Sequence, residues 1–347
     1  MNIFVSGESG TIPMQVQYLA SNFGFKVINT QLEKNDLIAK KHHQSFKVRR
    51  PELDFLDRNL LFLELADMWR NVDVIIHSGA FVGTDFCSSD PSLAIRTNVE
   101  GTQNIVEISN KYEIPLVYLS TTAILDPSKY GPHDPMDEMT EINPQTLYGI
   151  TKYAGELIVQ NTCENERLIL RPVFGFGNYP DDLHSALTKV IYVVYKKIIQ
   201  KTDDTLLVLL NPDINKSYTR VENIATCILK MIHKFWEDRD HVFDCLTYNI
   251  GEHYVKSKDW EQLFEIISYN FEIRKICPAK EVRALIEKTV YFAPEKDYLH
   301  YHNMNDAKLK GLDLDFDKFQ NYLSLDRGIS MTIDSVIQNV EMQPYWL

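Results

Sequence analysis

The sequence predicts an α/β fold, a doubly wound parallel sheet followed by a smaller C-terminal region. Three observations predict it. Short apolar runs alternate with longer helical patterns through the first half of the chain. Those runs are apolar at successive positions, as strands are when helices cover both faces of their sheet. The residues able to do chemistry follow these runs directly, at the strand ends where open α/β sheets bind ligands.

The candidate strands, in order, are Ile3–Ser6, Lys26–Asn29, Val72–His77, Leu116–Ser120 and Leu168–Arg171. Helical periodicity marks Met14–Phe23, Leu60–Trp69, Ala94–Tyr112 and Tyr148–Cys163 between them. Right-handed crossovers connect such units into one parallel sheet. After Pro172 the pattern loosens, and segments 173–220 and 250–315 hold more aromatic and charged residues. Val221–Phe235 and Tyr248–Gly251 read as a helix and a strand that return to the sheet. The expected organisation is a sheet domain over residues 1–172, rejoined by 221–251, with a substrate-side region over 173–220 and 252–347.

Composition narrows the function classes. With 347 residues, 44% of them hydrophobic, the chain can bury one large core or two intimate ones. A net charge of −12 argues against a nucleic-acid partner. Cys87, Cys163, Cys227, Cys245 and Cys277 form no C-x-x-C pair, which suggests reduced thiols and a cytoplasmic protein. The first residues carry no signal-like pattern. The most apolar later run, Val190–Tyr195, is too short to cross a bilayer, so no membrane partner is expected. His42 and His43 lack a third ligand at useful spacing, and no metal site is expected. His77 ends a buried strand and reads as a core histidine.

The first strand runs into Gly7 and Gly10, and a helical pattern begins near Ile12. Strand, glycine turn and helix together form a pyrophosphate cradle, because the helix N-terminus offers free N–H groups and a positive dipole end. Pro13 stands where a third glycine is usual. It is tolerable in a first helical turn, where its missing N–H has no helical partner. The second strand ends in Asn29-Thr30, neither acidic nor basic, so NAD and NADP both remain open.

Tyr148 and Lys152 in "TLYGITKYAGE" stand one helical turn apart on one face. Hydride exchange at an alcohol carbon needs a proton moved at its oxygen. A tyrosine with pKa about 10 is a poor base at neutral pH, and an adjacent ammonium is expected to lower that value. One strand earlier, "VYLSTTAIL" ends in Ser120, Thr121 and Thr122, hydroxyls able to bond a substrate oxygen. Asn98 lies in the preceding helix, where a buried amide needs partners; a backbone kink or a relay water would serve.

Taken together, the Gly7/Gly10 turn, "VIIHSGA", "TNVEGTQNIVE", the "LST" strand end, "YGITK" and "LRP" resemble the extended short-chain dehydrogenase/reductase superfamily, NAD-dependent epimerase/dehydratase group. The resemblance spans nearly the whole chain and implies a Rossmann-like fold acting on sugar nucleotides with NAD or NADP. It implies Tyr148 as acid/base, Lys152 as its partner, Thr121 as the hydroxyl with Ser120 as the competing register, and Asn98 as the helix asparagine. It places Gly7, Ser9, Gly10, Thr11 and Ile12 at the pyrophosphate, Leu53 and Asp54 at the adenine, Ser78, Gly79 and Ala80 beside the cofactor, and Pro172 and Val173 at the nicotinamide. On the substrate side it implies Phe81, Val82, Thr84, Asp85, Thr122, Asn178 and Lys216. It also implies a homodimer paired through helices near 95–112 and 147–163, with Ile105, Ile108, Leu157 and Ile158 as apolar positions of core or dimer face.

The departures narrow the reaction. Sugar-nucleotide dehydratases carry Thr-Asp-Glu where this chain has Thr121-Thr122-Ala123, so elimination of water is not expected. The family Arg-Asp becomes Lys216-Ser217, leaving a point charge for the diphosphate instead of a bidentate fork. What remains suits an epimerase or a 4-keto reductase acting at sugar C4. Two alternatives stay open: an oxidoreductase acting on a non-nucleotide alcohol or ketone, and a non-catalytic dinucleotide-binding sensor.

Overall fold

The computed structural model describes residues 1–7, 10–28, 55–126, 136–177, 185–201, 208–210, 215–237, 244–251, 253–255, 260–292, 301–302, 312 and 325–339. Its strands are β1 (Asn2–Ser6), β2 (Lys26–Ile28), β3 (Val74–His77), β4 (Leu116–Leu119), β5 (Arg167–Pro172), β6 (Phe174–Phe176), β7 (Val208–Leu210), β8 (Asn215–Arg220), β9 (Cys245–Ile250), β10 (His253–Val255), β11 (Val290–Phe292) and β12 (Tyr301–His302). Its helices are α1 (Thr11–Leu19), α2 (Ala66–Trp69), α3 (Thr84–Ser89), α4 (Pro91–Ile95), α5 (Gly101–Tyr112), α6 (Leu147–Thr162), α7 (Ala186–Gln200), α8 (Val221–Ile232), α9 (Trp260–Ile273), α10 (Ala279–Thr289) and α11 (Leu325–Asn339).

The main sheet runs β2-β1-β3-β4-β5-β9, and every pair in it is parallel. The chain starts at β1, steps outward to β2, then crosses to β3 and builds the other way. The reversal falls between β1 and β3, the switch point where such sheets open a ligand crevice. Side-chain alternation sorts the strands into two cores. Ile3, Val5, Val74, Ile76, Val117, Leu119, Leu168 and Leu170 meet α1 and α8 on one face. Phe4, Ile75, Leu116, Tyr118 and Ile169 meet the α5 and α6 side on the other. The fold is the predicted doubly wound α/β sheet.

Several boundaries differ from the sequence reading for local reasons. The first helix starts at Thr11, three residues before the apolar pattern from Met14, because Pro13 fits its first turn. The Ala94–Tyr112 pattern is interrupted by a π-helical turn over Arg96–Glu100, which holds Asn98. Its start is capped by Asp90, whose Oδ1 accepts from Leu93 N–H at 3.0 Å, with Pro91 next in line. Thr146 caps α6 in the same way, accepting from Gly149 N–H at 3.1 Å.

Beyond β5 the chain builds a third core. Helices α7, α9, α10 and α11 pack there around Phe176, Val190, Ile191, Phe264, Phe271 and Ile333. Small sheets accompany it, with β8 between β10 and β12 and also paired to β6, and β7 beside β11.

Candidate active site

The turn after β1 is built by a close crossing of two backbones. Gly7 has φ +71°, and a Cβ on it would lie 2.6 Å from the Gly79 Cα, just after β3. Only glycine accepts both conditions. Ser6 fixes the crossing, because its Oγ accepts from the Ser78 and Gly79 N–H groups, each at 3.1 Å. The Ser6 hydroxyl is then the donor toward His77 Nδ1 at 2.7 Å, which leaves His77 Nε2–H to donate to Thr102 Oγ1 at 3.1 Å. Thr102 donates onward to the Asn98 carbonyl at 2.7 Å. Burial, with Lys152 as a lesser cause, holds His77 down at about 3, so it is a neutral core group.

Helix α1 begins directly after this crossing. Gly10 offers it no side-chain cap, and the first helical bond runs from Met14 N–H to the Gly10 carbonyl at 3.0 Å. Thr11 and Ile12 therefore open the helix at an end suited to an anion. Pro13 is the third helical residue and is buried. A Cβ on Gly10 would sit 3.1 Å from the Pro13 ring, so the proline occupies the space that Gly10 leaves. A glycine-lined crossing at the sheet's switch point, leading into an uncapped helix start, fits a dinucleotide pyrophosphate. Ser9, Leu53 and Asp54 lie outside the described residues.

Tyr148 stands in the first turn of α6, partly buried. Burial pushes its phenol up to about 12, and a hydrogen bond with the Thr121 hydroxyl works the other way. Thr121 is thus the hydroxyl beside Tyr148. Ser120 is buried, and its Oγ has no partner among the described residues. Lys152 lies one turn on, 2% exposed, with Nζ 4.3 Å from the centre of the Tyr118 ring. Burial lowers it to about 7, opposed by the Glu156 carboxylate. The expectation that Lys152 lowers Tyr148 is not what this arrangement gives. Burial dominates at the phenol, and the ammonium faces Tyr118 and Glu156.

Asn98 is consumed by positioning bonds. Its Oδ1 accepts from Phe81 N–H at 2.7 Å, and its Nδ2 donates to the Phe81 carbonyl at 3.1 Å and to Thr151 Oγ1 at 2.9 Å. Thr151 in turn donates to the Tyr148 carbonyl at 2.9 Å. The π-turn thus joins the segment after β3 to the start of α6. The side chain's partners are the Phe81 backbone and the Thr151 hydroxyl, in place of the expected backbone kink or relay water.

The remaining candidates divide. Ser78 and Ala80 line the segment after β3; Val82, Thr84 and Asp85 are exposed beyond it, and Phe81 is partly buried. Thr122 is 2% exposed within a short 3₁₀ turn, away from solvent. Pro172 ends β5, and the Val173 N–H donates to the Ile250 carbonyl at 2.9 Å, tying that end to β9. Lys216 lies on β8, in register with Val255 and His302. Asn178 lies outside the described residues, as do His42 and His43. All five cysteines are free thiols.

Sequence reasoning missed the polar layer beneath α6. Arg171 on β5 donates to both Glu156 oxygens, at 2.9 and 2.7 Å, and both side chains are almost wholly buried. Arg171 Nη1 and both amide atoms of its strand neighbour Asn249 have no partner among the described residues. The signal lay in the quoted motif itself, where Tyr148, Lys152 and Glu156 repeat every fourth residue.

A parallel sheet with a glycine crossing at its switch point, a Tyr–Thr pair at a strand end and a buried lysine one turn away defines a dehydrogenase-like nucleotide fold of the extended short-chain class. The chain belongs to the RmlD substrate binding domain family, whose pattern matches residues 1–258. An uncharacterised protein of Methanocaldococcus jannaschii, MJ1055, is 30% identical over 72% of this chain and 75% of its own length. The same organism's putative UDP-glucose 4-epimerase is 28% identical over 78% of this chain and 83% of its own. The solved structure of RMD from Pseudomonas aeruginosa complexed with NADPH superposes with a TM-score of 0.72 at 14% identity, over 97% of this chain and 99% of that one. Among the described residues no group of His, Cys, Asp or Glu is placed to hold a metal ion, and no helix is long and apolar enough to cross a membrane.

Proposed function

We propose that this protein is an NAD(P)-dependent sugar-nucleotide epimerase or 4-keto reductase, with Tyr148 moving the proton at the sugar C4 oxygen. The arrangement that carries the reading is Tyr148 in the first turn of α6, beside the Thr121 hydroxyl that follows β4 and one helical turn before the buried Lys152. Family membership and the relative named as a putative UDP-glucose 4-epimerase support the substrate class. Hydride exchange is the chemistry that a nicotinamide dinucleotide supplies when bound. Gly7, Gly10, Thr11 and Ile12 would hold its pyrophosphate, and Ser78, Gly79 and Ala80 would run beside it. Pro172 and Val173 would border the nicotinamide, and Lys152 would reach its ribose.

The chain's own residues do the proton work. With a phenol held up at about 12, Tyr148 is a protonated donor at neutral pH, suited to delivering a proton to an oxygen that has gained hydride. Thr121 shares that oxygen and orients it. In the oxidising direction Tyr148 must lose its proton, which the nearby Lys152 charge assists once substrate and cofactor enclose the pair. Lys216, on β8, would meet the nucleotide diphosphate.

A panel of UDP-, GDP- and dTDP-sugars, each with NAD, NADH and NADPH, followed by mass spectrometry of the products, tests this reading. Turnover of at least one nucleotide sugar is expected. In Tyr148→Phe it should fall by about 10²–10⁴-fold while cofactor binding persists. Full activity in that variant would refute the mechanism. Cofactor binding without turnover of any sugar would favour a non-nucleotide substrate or a sensor. We also propose a homodimer. Ile95, Ile150 and Leu157 expose apolar side chains on the helices expected to pair, whereas Ile105 and Ile108 are core. Sedimentation of the purified protein checks the mass.

A further inference from the structure

Helix α6 carries a line of three ionisable side chains, Tyr148, Lys152 and Glu156, one turn apart along its inner face. Glu156 is 0% exposed and Lys152 is 2% exposed. Water contributes almost nothing to either charge, so protein groups decide how they ionise.

The strands beneath Lys152 and its own helix contribute definable groups. β3 supplies His77, neutral at about 3. β4 supplies Tyr118, whose ring lies 4.3 Å from Nζ and whose hydroxyl donates to the Lys152 carbonyl at 3.2 Å. Burial raises that phenol, so it brings no negative charge. β5 supplies the Arg171 cation, and α6 itself supplies Tyr148 and Glu156. Cys87 on α3 acts on Tyr148, and burial raises its thiol as well. Among the described residues Glu156 is thus the single anion in a layer that holds the Lys152 and Arg171 side chains. Arg171 fixes the direction of its carboxylate by gripping both oxygens.

We propose that Glu156 is a positioning residue that acts through Lys152, favouring the charged form of the catalytic-pair lysine while Arg171 holds the carboxylate in place. The proposal rests on the reading of Lys152 as the partner of Tyr148, but it concerns the ionisation of a side chain and does not need turnover to be tested. The competing account is purely structural, with Glu156 present only to neutralise Arg171.

The test is the titration of Lys152 in the purified full chain, followed by NMR of ¹³C-labelled lysine and assigned by loss of the signal in Lys152→Arg. In Glu156→Gln the midpoint should fall by at least about one pH unit, a tenfold change in the protonation constant. In turnover assays the high-pH limb should move by the same amount. Breaking a buried ion pair can unfold a chain, whereas replacing both partners is often neutral. The double variant Glu156→Gln/Arg171→Met therefore completes the experiment. A midpoint still below wild type in the double variant supports the proposal. An unchanged midpoint in Glu156→Gln, or one restored to wild type in the double variant, overturns it. If no sugar nucleotide is turned over, the titration still decides this point separately from the assigned reaction.

Discussion

Helices α6 and α7 are both buried, and they bury opposite things. Helix α6 turns Lys152 and Glu156 inward onto the sheet, where Arg171 and Tyr118 receive them. Helix α7 turns inward Val190, Ile191, Tyr192, Val193, Val194 and Tyr195, six successive side chains of which none exceeds 7% exposure. One helix uses its burial to set the ionisation of a few groups, at the expense of stability. The other uses its burial to hold the C-terminal region together mainly by apolar contact. Function and stability are therefore separable along this chain.

The sharpest way to break that contrast is Lys152→Met. The substitution removes a cation from a dry layer and leaves Glu156 and Arg171 as a balanced pair. Turnover should fall by about 10²-fold or more, yet the variant should be more stable than wild type by about 1–4 kcal/mol near pH 6. The sign follows from proton linkage. Lys152 titrates near 7 in the folded chain against an ordinary 10.5, so folding expels a proton between those values. Below pH 7 the unfavourable burial of the charge is felt in full, and it fades as pH rises toward 10.5. The stability advantage of the variant should shrink along the same course. Denaturant melts at pH 6 and pH 9.5 check this, and a variant less stable than wild type at pH 6 would refute it.

The matching change in α7 is Ile191→Ala. Its side chain is fully buried among other apolar groups, and its loss leaves a cavity worth about 2–5 kcal/mol. The ionisable members of that cluster among the described residues, Tyr192 and Tyr195, are phenols that stay protonated in this range, so the penalty should be nearly independent of pH between 6 and 9, as paired melts would read. A strongly pH-dependent loss would mean that the two helices are not energetically distinct.

The same contrast explains what the sequence made legible. Tyr148, Lys152 and Thr121 could be found because their residue types have a chemical reason to stand at that spacing. β1, β3, β4 and β5 could be found because strands buried on both faces are apolar at every position. Helix α7 could not, because its centre, Val190–Tyr195, is apolar at six successive positions and rich in valine and tyrosine, and such a short run reads equally well as a buried strand. The Glu156–Arg171 pair was hidden for another reason. Its members lie 15 residues apart on different elements, and only the packing of α6 onto β5 joins them. Asn98 lay between these cases. Its need for partners was readable, but their identity, the backbone of Phe81 and the Thr151 hydroxyl, depended on a π-turn that no pattern announces.

Pro13 offers the finest test of the separation between function and stability, because it belongs to both. It opens α1 beside the glycine crossing, and its ring fills the space above Gly10. Pro13→Ala would return one N–H to the helix end that faces the expected pyrophosphate, and would remove ring carbons that pack on Gly10. At the third helical position that N–H has no partner inside the helix, so the backbone loses nothing by the proline and gains its fixed φ. The two consequences therefore oppose each other. Stability should fall by less than about 1 kcal/mol, from lost packing and a freer unfolded chain. Cofactor affinity, read by isothermal titration with NADH and NADPH, should change by less than about threefold, since an added donor at a helix N-terminus is worth only a few tenths of a kcal/mol when exposed. A large loss of affinity would make the ring itself part of the cradle, and a large gain would mean that the proline restricts a turn which a glycine-like residue would complete.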